Sequence, residues 1–227
     1  MTKRSKRYAQ AAAQVEPGKR YGLPDAIQLL QSLPAPKFDE TVTVCIRLGI
    51  DARKSDQIVR GAFSLPHGIG KDVTVAVFAE GEAADAAKAA GADYIGSEDL
   101  AEKIQGGWMD FDVAIAHPGM MRVVGKLGRV LGPQGKMPSP KAGTVVENIG
   151  LAVSEFKAGK IEFRNDSGGN LHAVMGRRSF DAGKLKDNVE AFMEHVETLK
   201  PTAAKGNFIL TAHLGATMSP GIQLAVA

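Results

Sequence analysis

Hydrophobic and polar residues alternate through 41–49, where Val42, Val44, Ile46 and Leu48 are interleaved with Thr41, Thr43, Cys45 and Arg47. A period of two over that length predicts a strand with one buried and one solvated face, as in an antiparallel sheet. The same period returns at 160–165, 171–176 and 208–215. Between these stretches the pattern changes. Residues 73–79 (VTVAVFA) and 113–116 (VAIA) are unbroken apolar runs, as strands covered on both faces should be. They alternate with Ala-rich or amphipathic helical stretches at 82–90, 98–106 and 146–158, which predicts a small parallel βαβ layer.

The half-exposed strands therefore flank a parallel segment in sequence. The fold class that follows combines α/β and α+β in two domains. A discontinuous α+β domain with a mainly antiparallel sheet (1–68 and 159–227) is interrupted by an inserted Rossmann-like parallel α/β domain (69–158). Glycines mark both crossings, Gly68 and Gly70 on the way out and Gly159 on the way back. Two neighbouring connections of this kind predict a hinge. Over 182–199, Leu185, Val189, Phe192, Met193 and Val196 share one helical face, suited to covering the first domain's sheet. The segment 166–170, Asp-Ser-Gly-Gly-Asn, predicts a hairpin loop.

Composition narrows the picture modestly. With 227 residues, 44% hydrophobic and 23% charged, the chain lies near the average for globular proteins and outside the disordered and collagen-like classes. The lone Cys45 provides neither an internal disulfide nor a cysteine-based zinc site, and fits a reducing compartment. No charged residue occurs over 207–227, but Asn207, His213, Ser219, Pro220 and Gln223 interrupt the run, so it predicts two buried strands around a turn and no membrane association. The basic start lacks the apolar run of a secretory signal.

Charge is more telling in its distribution than in its total of +3. Residues 1–20 balance at +5, 21–70 at zero, 71–112 at −7, 113–146 at +5 and 147–227 at zero. Segregation of that kind predicts a polyanionic partner.

Enzyme signatures fail on spacing. At Gly135-Lys136 a Walker loop would need glycine at Val130 and Ser or Thr at Met137, and Gly68-x-Gly70 lacks the third glycine of a dinucleotide fingerprint. No Gly-x-Ser-x-Gly elbow or His-Glu-x-x-His pair occurs, and Cys45 sits mid-strand as an idle thiol. His117 follows a parallel strand at the end where α/β sites lie, with a loop histidine bonded to backbone as the plain reading. No catalytic residue, metal or cofactor is expected. A nucleotide-dependent enzyme using the α/β domain is the competing reading, and a general basic DNA-binding protein a second.

The segment 120–145, MMRVVGKLGRVLGPQGKMPSPKAGTV, holds five cations, five glycines and three prolines without an acid. Met121, Val123, Val124, Leu127, Val130 and Leu131 predict a short helix anchored to the core, followed by a stiff Gly/Pro arm. Glycine admits phosphate close to backbone N–H groups and the cations supply charge, so the arm suits phosphate-backbone contact; a solvated loop is the alternative.

LGRVLGPQGKMPSPKAGTV closely resembles the signature of the ribosomal protein L-one family, the large-subunit proteins of the mobile lateral stalk. PKFDETVTVCIRLGIDARKSDQIVRGAFSLPHGIGK and KIEFRNDSGGNLHA are similar to its other hallmark segments, and the likeness covers about residues 3–224. It implies two domains, the second inserted in the first, in a cytoplasmic ribosomal protein that is monomeric within the ribosome.

By that resemblance the first domain grips large-subunit (23S) ribosomal RNA. The matching positions are Lys37, Phe38 and Thr41, then Arg164, Asp166 and His172, then Thr211, Thr217, Met218 and Ser219. Phe38 and Met218 would pack on ribose and base faces while hydroxyls meet the 2′-OH. Asp166 would either accept from the RNA or orient Arg164. The second domain would face exit-site transfer RNA through Arg122, Lys126, Arg129, Lys136 and Lys141 and assist release of the deacylated molecule. Repression of the protein's own operon, through binding its messenger leader, is implied as well. The chain departs from the family pattern at Gln134 and Lys136, where arginine and leucine are common, at Ser219, where glycine is frequent, and at His117 and Gly119.

Overall fold

In the computed structural model, which describes residues 4–226, the elements are α1 (Lys6–Gln14), α2 (Leu23–Ser32), β1 (Thr41–Leu48), β2 (Arg60–Ser64), β3 (Val75–Phe78), α3 (Glu82–Ala89), β4 (Tyr94–Gly96), α4 (Glu98–Gln105), β5 (Val113–Ala116), α5 (Met121–Val124), α6 (Gly128–Leu131), α7 (Ile149–Ala158), β6 (Lys160–Arg164), β7 (Asn170–Arg177), α8 (Ala182–Thr198), β8 (Ile209–Ala216) and β9 (Ile222–Leu224). Lys3, counted above in the basic start, lies outside the described residues. The chain divides into two compact units that part at Gly70/Lys71 and Lys160/Ile161, two residues beyond each crossing read from the sequence.

The alternating segments build the first unit. β1 is inserted antiparallel between β7 and β8, and β9 completes the sheet in the order β7-β1-β8-β9. Val42, Val44, Ile46 and Leu48 point to the buried side, where they meet Leu171, Ala173 and Met175 of β7, Ala212 and Leu214 of β8, and the apolar faces of α2 and α8. Burying each such side chain contributes about 1.5–3 kcal/mol, so a one-residue slip of β1 would expose the whole set. The pairing of β1 with β7 breaks register between Val42 and Thr43, opposite Gly176. Gly176 has φ +146°, and a Cβ there would lie 2.9 Å from the Phe180 ring. Glycine is thus required where the strand bulges under the start of α8.

The predicted hairpin forms only at its tip. Asp166 N–H donates to Asn170 O at 2.8 Å and Asn165 bridges Leu171, but the strands then separate, β6 pairing with β2 and β7 with β1. The buried Asn165 ties the end of β6 to the residue before β2: its side chain accepts from Val59 N–H at 2.9 Å, and its own N–H donates to Val59 O at 3.0 Å.

Asn188, fully buried on α8, closes the chain's exit from this unit. Its side-chain oxygen accepts from His67 N–H at 3.0 Å, and its amide donates to Gly68 O at 3.0 Å and Met175 O at 2.8 Å. Gly70, at φ +65°, abuts Phe180 so closely that a Cβ would sit 2.4 Å from the ring. Gly68 and Gly70 are therefore fixed within the first unit. Gly159 is the left-handed cap of α7, its N–H donating to Phe156 O. All three glycines thus have structural tasks of their own beside the hinge role expected of them.

The continuous apolar runs form the second unit's parallel sheet, in the order β4-β3-β5. β3 is buried on both sides: Ala76 and Phe78 face the layer of α4, α5 and α6, whereas Val75 and Val77 face α3 and α7. The three-residue edge strand β4 is too short to display a period, and β2, as long as β6, buries none of its residues fully and shows no alternation.

Candidate nucleic-acid interface

The outward residues of β1 run along an open sheet face. Cys45 lies opposite His172 and His213, and Arg47 opposite Asn170 and Thr211. Most of the first-unit residues singled out from the sequence fall toward the two ends of this strand, with His172 opposite Cys45 between them and Arg164 on β6. At ~3.4 Å per residue, Thr41 and Arg47 are about 20 Å apart.

At the Thr41 end the turn Thr217-Met218-Ser219 docks beside the start of β1. Thr217 N–H donates to Thr41 O at 3.1 Å, and Thr41 N–H donates to Thr217 Oγ1 at 3.2 Å. Ser219 Oγ accepts from Ala216 N–H at 2.8 Å and closes the turn. Met218 N–H donates to Glu40 Oε1 at 2.9 Å. The Glu40 side chain is completely buried, and its second oxygen pairs with Arg178 Nη1 at 2.5 Å. Arg178 in turn donates to Gln31 O at 3.0 Å and to Leu33 O. The backbone around Met218 is thus held by a buried ion pair while its side chain remains 48% exposed, and Phe38 on the same edge is 52% exposed. Two large apolar side chains thus stand exposed on one polar edge, as Leu151 and Leu210 do singly elsewhere. Lys37 is exposed beside them, and Arg177 donates to Thr41 Oγ1 at 3.2 Å and to Asp39 O. The sequence reading missed Glu40, Arg177 and Arg178, because an acid before a strand reads as solvated until its distant partner is known.

At the Arg47 end the hairpin tip presents Asp166, with the exposed His172 and Arg164 nearby in sequence. Asp166 accepts from Asn170 N–H at 2.7 Å, from the Asn170 amide at 3.0 Å and from Gly168 N–H at 2.8 Å. The Asn170 side chain, the two backbone donors and the nearby His172 hold its carboxyl below the usual aspartate value of 3.8. Its carboxylate is bonded within the tip and not to Arg164, which corrects the expectation that Asp166 orients that arginine. His172 Nε2 lies 3.7 Å from Asp166. Arg47, exposed between Asn170 and Thr211, is a cation of this group that the sequence reading left out. Cys45, on the face between the two ends, has its thiol pushed up by burial and by the charge of Asp166, and is protonated at neutral pH.

In the second unit 118–131 is nearly continuous helix, a 3-10 turn leading into α5 and a second 3-10 turn joining α5 to α6, and the Gly/Pro stretch follows it, as the sequence pattern predicts. Met120, Val124, Leu127 and Leu131 anchor it in the core, leaving Arg122, Lys126 and Arg129 exposed; Lys141 is exposed on a later turn. Lys136 behaves differently. Its ammonium donates to Met109 O at 3.2 Å and to Phe111 O and lies 4.9 Å from the centre of the Phe111 ring. Lys136 thus packs its stem inward and donates to two carbonyls, so this cation is spent on the fold, contrary to its expected place among the free charges of the arm.

At the C-terminal end of the parallel sheet a cleft of about 840 Å³ is lined by Glu80, Glu82, Glu147, Asn148 and His117. His117 Nδ1 accepts from Gly119 N–H at 3.2 Å. Three carboxylates make this cleft repulsive to phosphate, which disfavours a nucleotide there.

Comparison with known proteins agrees with the geometry. Residues 29–220 match the model of the ribosomal protein L1p/L10e family. The large ribosomal subunit protein uL1 of Kosmotoga olearia is 54% identical over 224 residues, spanning 99% of this chain and 97% of its own. Those of Thermosipho africanus (55%; 99% and 97%) and Fervidobacterium nodosum (54%; 99% and 96%) are equally similar over 225 residues. By model and by full-length identity alike, the chain belongs to the ribosomal protein L1p/L10e family.

Proposed function

We propose that the chain serves as a structural, non-enzymatic constituent of the large ribosomal subunit, and that its first unit grips large-subunit ribosomal RNA through the two ends of β1. The observation that carries this reading is the exposure of Phe38 and Met218 beside a turn whose backbone is fixed by the buried Glu40. Leu151 and Leu210 are as exposed, so what sets Phe38 and Met218 apart is their place together on one fixed edge. A phenyl ring and a thioether suit ribose and base faces, and Lys37 suits phosphate. Thr217 is already bonded to Thr41, so its hydroxyl shapes the turn while offering one remaining lone pair. Arg164, Asp166, His172 and Thr211 form the second contact group, with Arg47 added.

The second unit, on this proposal, meets transfer RNA at the exit site through Arg122, Lys126, Arg129 and Lys141, and assists its movement and release. Anchoring by the buried face of 118–131 fixes Arg122, Lys126 and Arg129 in space, which favours a brief, oriented contact over a flexible one. Repression of the protein's own messenger would use the first-unit surface, competing with ribosomal RNA for the same groups.

Salt titration of binding to a large-subunit ribosomal RNA transcript tests the grip. Neutralising ~5 phosphates gives a slope of about −4.5 in log K against log salt, a loss of roughly 500-fold between ~50 and ~200 mM. A flat response rejects the phosphate grip, and calorimetric binding of a nucleotide cofactor to the free protein would revive the enzyme reading.

A further inference from the structure

We propose that the first unit also carries a slot for one unpaired RNA nucleotide, set between the start of α1 and the 217–219 turn. The slot rests on the reading of that edge as an RNA surface and extends it onto the basic start of the chain, which the resemblance left without a task. Arg4, Arg7 and Tyr8 together with Thr217, Met218 and Ser219 line an open groove of about 380 Å³. The Arg4 guanidinium lies 4.6 Å from the centre of the Tyr8 ring. Arg7 donates to Met218 O at 3.1 Å and to Pro34 O at 3.2 Å, tying α1 to the turn. Ser5 caps α1 by accepting from Tyr8 N–H at 3.2 Å, which sets Tyr8 on the first turn facing the groove. Arg7 is a positioning residue, whereas Arg4, Tyr8 and Met218 supply the contact surface.

Size and charge select the occupant. The volume sits near the lower end of the ~300–1,000 Å³ range for small-ligand pockets, room for a base and its sugar and too little for a helix or duplex. Two guanidinium groups with no acid before Glu16 favour an anion. The Tyr8 ring and the exposed Met218 thioether favour a flat apolar face. An unpaired nucleotide has both, its base against Tyr8 and Met218 and its phosphate on Arg4. The groove is continuous with the edge through Met218, so one RNA can reach both.

The test uses the full chain and an in vitro transcript of large-subunit ribosomal RNA, with Tyr8→Ala, Tyr8→Phe, Arg4→Gln and Phe38→Ala. Tyr8→Ala is expected to weaken binding by about 5- to 150-fold, the range for loss of one stacked base, and to deprotect one nucleotide in a chemical footprint; Tyr8→Phe binds as wild type. Arg4→Gln, upstream of α1 and exposed, reduces the salt slope by about 0.9 and leaves helix content unchanged, so it decides the matter even if Tyr8→Ala frays α1. If Arg4→Gln and Tyr8→Ala both keep wild-type affinity, slope and footprint while Phe38→Ala binds weakly, the slot is wrong and the edge reading stands. If Phe38→Ala also binds as wild type, the edge reading fails and takes the slot with it.

Discussion

The buried carboxylate of Glu40 joins two parts of the chain far apart in sequence: one oxygen accepts from Met218 N–H at 2.9 Å, and the other meets Arg178 at 2.5 Å. The ion pair is buried, so its net contribution is small, but removing one partner strands the other. Arg178→Met is expected to destabilise the protein by about 3–5 kcal/mol, read as a lower urea midpoint at unchanged slope. Replacing both partners, Glu40→Met with Arg178→Met, should recover much of that loss while leaving the 217–219 turn loose and RNA binding weak. A double variant that binds RNA as wild type would separate the turn from the carboxylate.

Phe38→Ala and Met218→Ala remove exposed side chains, so stability should stay within about 0.5 kcal/mol of wild type. Affinity for ribosomal RNA should fall by about 1–3 kcal/mol each, measured by filter binding at fixed salt. Destabilisation without weakened binding would return both residues to a structural role.

The hairpin tip should be acid-sensitive. The folded carboxyl of Asp166 titrates below its unfolded value of 3.8, so its contribution is fully present above that value and is lost as pH falls through the lower folded value. Asp166→Asn imitates the protonated state at neutral pH. The variant should raise hydrogen exchange at Gly168 and Asn170 at pH 7, with little further change on acidification, whereas wild type loosens only below about pH 4.

The cations of the second unit should separate into two kinds. Lys136→Ala leaves the Phe111 carbonyl short of a donor, while Met109 O keeps its bond from Phe111 N–H, and is expected to cost about 1–3 kcal/mol in stability. Charge reversal at Lys126 and Arg129 should leave both stability and ribosomal RNA affinity unchanged and alter transfer-RNA release in a ribosome reconstituted with the variant. Equal loss of both RNA activities would merge two surfaces that the proposal keeps apart.

Cys45 should alkylate slowly. Burial and the charge of Asp166 raise its thiol above the ordinary value of 9.0, so iodoacetamide at pH 7.5 should react more slowly with the folded protein than with the urea-unfolded chain. Faster reaction when folded would point to an activated thiol.

The sequence made legible whatever depends on a repeated local choice. The alternation of 41–49 became β1, the unbroken run 113–116 became β5, and the apolar stripe of 182–199 became α8. What escaped depends on partners distant in the chain. Glu40 carries no local sign of burial, since Arg178 and Met218 lie far along the sequence. Lys136 counts as surface charge until two carbonyls at 109 and 111 come within reach. The open end of the hairpin was hidden likewise, because a two-residue alternation says which face is buried but not which strand is the neighbour. Phe38 illustrates the converse: hydrophobicity alone would bury it, and the family resemblance supplied the reason to leave it outside.

The two contact groups stand at the ends of one paired strand, and a strand held by neighbours on both sides neither stretches nor bends appreciably. β1 therefore acts as a gauge of about 20 Å. On the proposed reading, an RNA that already holds two backbone segments at that separation meets both ends without ordering itself, whereas a flexible single strand must lose conformational entropy to do so. If the two groups act together, tertiary shape contributes to discrimination beside base identity, and any messenger proposed to compete for this surface would have to imitate a distance as well as a sequence.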